Sequence, residues 1–138
     1  MNDEFVLDAS FSLCWCFEDE ATEGTDSVLT TLQNQKAVAW APGIWQLEIL
    51  NGLGKGVARG RVDREKAFLF WREMRALPVH IIDIPADEKL LELALEHNLA
   101  LYDAAYLSLA LVRGLPLATA DGKLQRAAQH CGLGVMRP

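Results

Sequence analysis

What the chain lacks narrows it first. It has three cysteines, Cys14, Cys16 and Cys131, an odd number without framework spacing, which argues against a disulfide-stapled fold. Cys14-Trp15-Cys16 is a C-x-C, and two such thiols on a helix point in different directions. Buried, reduced thiols are the expectation. The three histidines, His80, His97 and His130, show no zinc-ligand spacing. No stretch reaches the ~18 consecutive apolar residues of a membrane span. Met1 to Phe5 carries Asp3 and Glu4 and no base, unlike a secretory leader. A cytoplasmic protein with no membrane contact is expected. There is no internal repeat, low-complexity tract or linker, so the 138 residues are expected to form one domain, 1–138. A chain near ~150 residues can bury about two-thirds of its unfolded surface.

Positive charge is also scarce. Thirteen Lys and Arg face nineteen Asp and Glu, for a formal net charge of −6. Phosphate contacts dominate nucleic-acid affinity, so an acidic chain is an unusual partner for RNA or DNA. The deficit is uneven, however. Lys55, Arg59, Arg61, Arg64, Lys66, Arg72 and Arg75 fall in one stretch against only Asp63, Glu65 and Glu73, a local charge of +4. A solvated helical surface explains many such runs. The sharper reading is a basic rim, with Lys55, Arg59, Arg61 and Arg64 as RNA-binding candidates.

What is present is a regular alternation. Hydrophobic residues make up 51% of the chain, enough for a well-filled core with some apolar surface left for a partner. Short apolar runs alternate with longer amphipathic stretches, the pattern of α/β proteins with a parallel sheet. Strands are expected at Glu4 to Asp8, Ala37 to Trp40, Val79 to Ile82, Leu117 to Thr119 and Gly134 to Met136. Helices are expected at Ser10 to Phe17 with Ser10 as N-cap, Thr22 to Gln35, Ile44 to Ala58, Asp63 to Leu77, Ala86 to His97, Asp103 to Arg113 and Asp121 to His130. In the Ile44 helix, Ile44, Leu47, Leu50 and Leu53 are expected to face inward. Gly52, Gly54 and Gly56 there predict a close backbone approach, by a neighbouring helix or a second subunit, since each costs about 1 kcal/mol of helix propensity. In the Asp63 helix, Phe68, Trp71 and Leu77 are the expected apolar contacts.

Four acids then stand out by position. Asp8 ends the first strand, and Asp121 follows the fourth. Ligands in open parallel sheets bind beyond the carboxyl ends of strands. Asp103 opens a helix, and Glu48 sits in the apolar run Ile44-Trp-Gln-Leu-Glu-Ile-Leu50, with Asn51 on its face. Taken singly, Asp103 and Asp121 read as helix caps and Glu48 as an exposed position. Asp8 is harder to explain so, because an acid ending a buried strand needs a partner and no base lies near it. Four gathered carboxylates would repel unless some were protonated or a cation lay between them. All-oxygen sites suit Mg²⁺ or Mn²⁺, and such a site matches metal-assisted phosphodiester hydrolysis. A cation also offsets the charge objection, since neutralising four carboxylates takes −6 to −2. The hydroxyls of Ser10 and Thr119 could bind water or phosphate there, or serve only as caps and turn residues.

Val6-Leu-Asp8-Ala-Ser10, Trp45-Gln-Leu-Glu48-Ile-Leu-Asn51, Tyr102-Asp103-Ala-Ala-Tyr106-Leu-Ser-Leu-Ala110 and Leu117-Ala-Thr119-Ala-Asp121-Gly-Lys-Leu124 resemble, in order, the four blocks of the PIN domain. More narrowly they resemble the VapC toxins of bacterial type II toxin–antitoxin pairs, over about Val6 to Val135. The resemblance implies a three-layer α/β/α fold with a central parallel five-stranded sheet in the order 3-2-1-4-5. It implies a Mg²⁺- or Mn²⁺-dependent endoribonuclease acting on an RNA substrate. Metal-ligand and catalytic roles fall on Asp8, Glu48, Asp103 and Asp121, with Asp8 and Asp103 as the principal ligands and Ser10, Asn51 and Thr119 in support. It implies inhibition by a cognate VapB-like antitoxin, in a groove lined by Leu13, Trp15, Phe17, Ile49 and Leu53. It also implies a homodimer, with Gly52–Gly56 and Trp71 as candidate surface. Two other readings compete: a PIN-like protein-binding module without activity, and a DNA structure-specific nuclease. A doubly wound phosphatase would need an Asp-x-Asp pair where this chain has Asp8-Ala-Ser10.

Overall fold

Five parallel strands form the centre of the computed structural model, which describes residues 3–138. The N-terminal reading at Met1 and Asn2 lies outside the described residues. In chain order the elements are β1 (Asp3–Leu7), α1 (Ala9–Leu13), α2 (Glu23–Gln33), β2 (Ala37–Pro42), α3 (Ile44–Ala58), α4 (Arg64–Ala76), β3 (Val79–Ile82), α5 (Glu88–His97), α6 (Leu101–Arg113), β4 (Leu117–Ala118), α7 (Gly122–His130) and β5 (Val135–Met136). This is the expected succession, and the sheet runs β3-β2-β1-β4-β5 as the resemblance implied. No helix among the described residues is long and apolar enough to cross a membrane.

β1 is central. Val6 pairs with Trp40 of β2 on one side and with Leu117 of β4 on the other. Phe5, Val6 and Leu7 are all buried, as a parallel strand covered on both faces requires. The strand order reverses between β1 and β4. Residues just past the ends of these two strands therefore border the crevice where such sheets build sites. Asp8 and Thr119 occupy those positions.

Several boundaries differ from expectation for local reasons. The first helix begins at Ala9, so Asp8 and not Ser10 is its N-cap residue. It ends at Leu13, and Cys14 to Cys16 form a turn. The sixth helix begins two residues early, at Leu101 with Ala100 as N-cap, which puts Asp103 in its first turn and not at its cap. Asp87 caps α5 by accepting from the Leu90 amide, and Asp63 caps α4 by accepting from the Lys66 amide.

The inward face of α3 is shifted by one residue. Trp45, Ile49, Leu53 and Gly56 are buried, whereas Leu47 and Leu50 are 62% and 42% exposed. The helix is apolar nearly all round, so its periodicity admits two phases and packing selects one. On α4 the buried residues are Ala67, Phe70 and Met74, and Phe68 is half exposed.

The α3 glycines show what selects the phase. A Cβ on Gly52 would lie 2.5 Å from Leu13 Cδ1, and one on Gly56 would lie 2.9 Å from the Phe17 ring. The close approach comes from this chain's own α1 segment, so Gly52 and Gly56 are not available as a dimer surface. Gly54 has nothing within 4 Å of such a Cβ. Gly54→Ala is therefore expected to raise the melting temperature, by adding up to about 1 kcal/mol of helix propensity. Gly56→Ala is expected to lower it, since overpacking against a buried ring costs about 1–3 kcal/mol. Thermal scans of the two variants check this, and shifts of the same sign would refute it.

Candidate active site

Asp8 is 4% exposed and has no basic ion-pair partner among the described residues. Its Oδ2 accepts two hydroxyl bonds, from Ser10 Oγ at 2.6 Å and from Thr119 Oγ1 at 2.7 Å. Both hydroxyls are themselves polarised. Ser10 Oγ accepts from the Ala120 amide at 3.0 Å, and Thr119 Oγ1 from the Asp121 amide at 3.0 Å. The loop after β4 thus grips the carboxylate that follows β1. Ser10 and Thr119 spend their protons on Asp8, so they hold an acid in place and do not stand ready to donate to water or phosphate. Both strong bonds fall on Oδ2, which leaves Oδ1 for another partner.

Glu48 reaches the site from α3. Its Oε1 accepts a 2.7 Å bond from the hydroxyl of Tyr106, a residue buried on α6. Tyr106 lies one helical turn after Asp103, so α6 contributes both an acid and the group that fixes another acid. Trp45 Nε1 donates to Ser12 Oγ at 3.1 Å, and Ser12 Oγ donates to the Asp8 carbonyl at 3.2 Å, which pins α3 to the start of α1. Asp121 is the N-cap of α7 and accepts from the Lys123 amide at 2.9 Å, so its capping role is realised. Its second oxygen is not part of that bond.

The electrostatics follow from this crowding. Burial pushes the Asp8 carboxyl above its usual range, opposed by the Ser10 and Thr119 hydroxyls and reinforced by Asp121. Glu48 is raised by burial and by Asp8 and Asp103, with the Tyr106 bond acting against them. Asp103 is raised to about 6 by burial, Asp8 and Asp121, with Lys123 the opposing charge. Tyr106 is raised by burial and by Asp8 and Glu48, so it stays a proton donor. The three ion pairs found among the described residues all lie elsewhere.

A carboxyl whose pKa is raised on folding binds more protons in the folded state. For Asp103 that stability is fully present below the unfolded value of 3.8 and is lost as pH climbs through about 6. In EDTA, the melting temperature of the wild type relative to Asp103→Asn is expected to fall between pH 4 and pH 7. A constant difference would mean that these acids do not strain one another.

The chemistry of the donors fits a hard divalent cation: four carboxylates, all oxygen, mutually repelling and in no ion pair among the described residues. No three His, Cys, Asp or Glu side chains among the described residues already enclose an ion-sized point. Drawing the acids onto one ion therefore takes side-chain movement. Asp8, doubly anchored, is the fixed member.

The remaining candidates are dispersed. Asn51 is exposed on α3, with no hydrogen bond to the acids among the described residues. Arg61 donates to Asp19 and Glu20, each at 2.9 Å, and lies 4.1 Å over the Phe17 ring. Arg64 stacks on Phe68. Lys55 and Arg59 border a cavity that also touches Ser10 and Asp121. Of the expected partner groove, Phe17, Ile49 and Leu53 are core residues, at 6%, 0% and 4% exposure, and Leu13 and Trp15 are half-buried. Leu13 and Phe17 also border the cavity beside Ser10 and Asp121, and a separate apolar groove of about 350 Å³ lies between α3 and α4, with Leu50, Val57, Phe68 and Trp71 in its walls. Trp71, a candidate for the dimer surface, lines this groove. Tyr106, Ser12 and Trp45 went unassigned in the sequence. A tyrosine at Asp103 + 3 was the available signal, since a buried hydroxyl needs a partner.

A doubly wound parallel sheet with an acid cluster past the ends of β1 and β4 defines a class, the α/β proteins with an acidic site at the switch point. The PIN domain model matches residues 5–129, and the chain belongs to the PIN domain family. Ribonuclease VapC1 of Mycobacterium tuberculosis is 29% identical over 129 residues, 91% of this chain and 91% of that protein. Among solved structures, PAE2754 from Pyrobaculum aerophilum superposes with a TM-score of 0.74 at 24% identity, over 99% of this chain and 92% of that one. FitAcB from Neisseria gonorrhoeae gives a TM-score of 0.61 at 19% identity, over 97% of each chain.

Proposed function

We propose that this protein is a divalent-metal-dependent endoribonuclease of the VapC kind, cutting RNA phosphodiester bonds at Asp8, Glu48, Asp103 and Asp121. The observation that carries the reading is Asp8: a buried acid, held by two hydroxyls and crowded by three more acids, none of the four in an ion pair among the described residues. The likeness to a protein named as a ribonuclease supports the same reaction. Mg²⁺ or Mn²⁺ is the proposed cofactor. When bound, it supplies a neutralising charge and activates water for attack on phosphorus near neutral pH. Asp8 and Asp103 are the proposed principal ligands. Glu48, oriented by Tyr106, and Asp121, fixed at the start of α7, complete the set or hold water.

We assign the antitoxin contact to the α3–α4 groove. Its apolar walls and the exposed Leu47 and Leu50 suit an amphipathic segment, and Arg64 adds a charge at which an acidic residue could pair. A cytoplasmic location accompanies this reading. The test is incubation of purified, antitoxin-free protein with total RNA in Mg²⁺, Mn²⁺ or EDTA. Discrete fragments that need metal are expected. Intact RNA in all three conditions, from folded protein, would favour a binding module.

A further inference from the structure

We infer that the cavity of about 330 Å³ bordered by Ser10, Asp121, Lys55 and Arg59 is the seat of an RNA backbone phosphate next to the bond being cut, gripped by Lys55 and Arg59. The inference rests on the ribonuclease reading above and adds a substrate subsite to it. Three observations carry it.

The cavity opens on the acid cluster itself. Asp121 belongs to that cluster, and Ser10 is bonded to Asp8. The two cations are also free to act. Neither Lys55 nor Arg59 enters an ion pair found among the described residues, whereas Arg61 on the same wall is held by Asp19 and Glu20. Lastly, Lys55 lies in the last turn of α3 and Arg59 is its C-cap residue four positions on, and both border the same cavity, so they can act on the same ligand. Both lie at the end of α3, where the helix dipole favours cations. That effect accounts for their helix position and not for the cavity that joins them to Ser10 and Asp121. A volume within the range of small-ligand pockets leaves room for a nucleotide unit. The basic stretch thus divides by role. Lys55 and Arg59 face substrate, Arg61 braces the turn after α1, and Arg64 belongs to the apolar groove.

The test is binding of a fluorescein-labelled single-stranded RNA of mixed sequence, in EDTA so that cleavage does not intervene, across 50–200 mM KCl. The wild type is compared with Lys55→Gln/Arg59→Gln and with the charge-matched control Arg72→Gln/Arg75→Gln. Two lost phosphate contacts are expected to lower the slope of log affinity against log salt by about 1.4, at roughly 0.7 per contact for single strands. The control is expected to keep the wild-type slope. An unchanged slope in the Lys55/Arg59 variant, or an equal fall in the control, would overturn the subsite. If the wild type cleaves RNA with metal and the slope does not change, the subsite alone fails. If the wild type neither cleaves nor binds RNA, the ribonuclease reading fails with it.

Discussion

Asp8→Asn is expected to lose metal-dependent RNA cleavage while making the metal-free protein harder to melt. The two effects have one cause. Burial raises the Asp8 carboxyl despite two hydroxyl bonds to it, so the fold prefers a neutral group at this position. Asparagine supplies that neutral group in nearly the same shape, and its carbonyl can still accept from Ser10 and Thr119. It removes the anion that a divalent cation needs. Loss of activity should be at least about 100-fold, since removing merely the partner behind a metal ligand costs 10–100-fold. The wild type should also gain stability from metal, about 2.7 kcal/mol at a concentration a hundred times the Kd. Asp8→Asn should gain little. Thermal scans in EDTA and in Mg²⁺, beside RNA cleavage, read both effects. A variant that melts lower than the wild type in EDTA and is still raised by Mg²⁺ would show that Asp8 serves the fold and not a metal.

The second large effect is expected from a residue with no charge. Tyr106→Phe keeps a buried ring and removes the hydroxyl that fixes Glu48 Oε1 at 2.7 Å. The Glu48 carboxylate is then free to rotate, and the loss of cleavage should fall in the 10–100-fold range of partners behind a ligand. Metal affinity measured by titration should fall with it, whereas a general packing defect would lower the melting temperature and leave affinity unchanged. Full activity in Tyr106→Phe would mean that Glu48 needs no positioning.

The order of elements was legible because the strands are short, nearly continuous apolar runs and the helices are amphipathic, two patterns that rarely imitate each other. The acids Asp8 and Asp121 were legible for a related reason: strand ends can be read, and strand ends border the crevice. Strand order came from resemblance, since nothing in the hydrophobicity of β2 or β4 says which lies beside β1. The phase of α3 was not legible. Ile44, Trp45, Leu47, Ile49, Leu50 and Leu53 make apolar faces in two registers, and only the Leu13–Gly52 and Phe17–Gly56 approaches decide between them. The same limit bears on two of the five residues assigned to a partner groove, since α3 turns Ile49 and Leu53 inward. Ser10 was read as a cap or as a supporting group for water or phosphate, whereas its proton goes to Asp8 and its oxygen accepts from the Ala120 amide, more than a hundred residues away. Tyr106 was in view inside its motif, but its role needs Glu48, 58 residues distant, to be brought alongside.

The most direct measurement is the chemistry of the cut ends. Purified protein is given a single-stranded RNA and Mg²⁺ in water enriched in ¹⁸O, and the products are analysed by mass spectrometry. Water activated at a metal-holding carboxylate site attacks phosphorus and enters the product, so one labelled oxygen is expected in a new terminal phosphate, absent in EDTA and absent with Asp8→Asn. Unlabelled 2′,3′-cyclic phosphate ends, formed equally in EDTA, would mean that the RNA's own hydroxyl makes the attack and would contradict the assignment of the four acids.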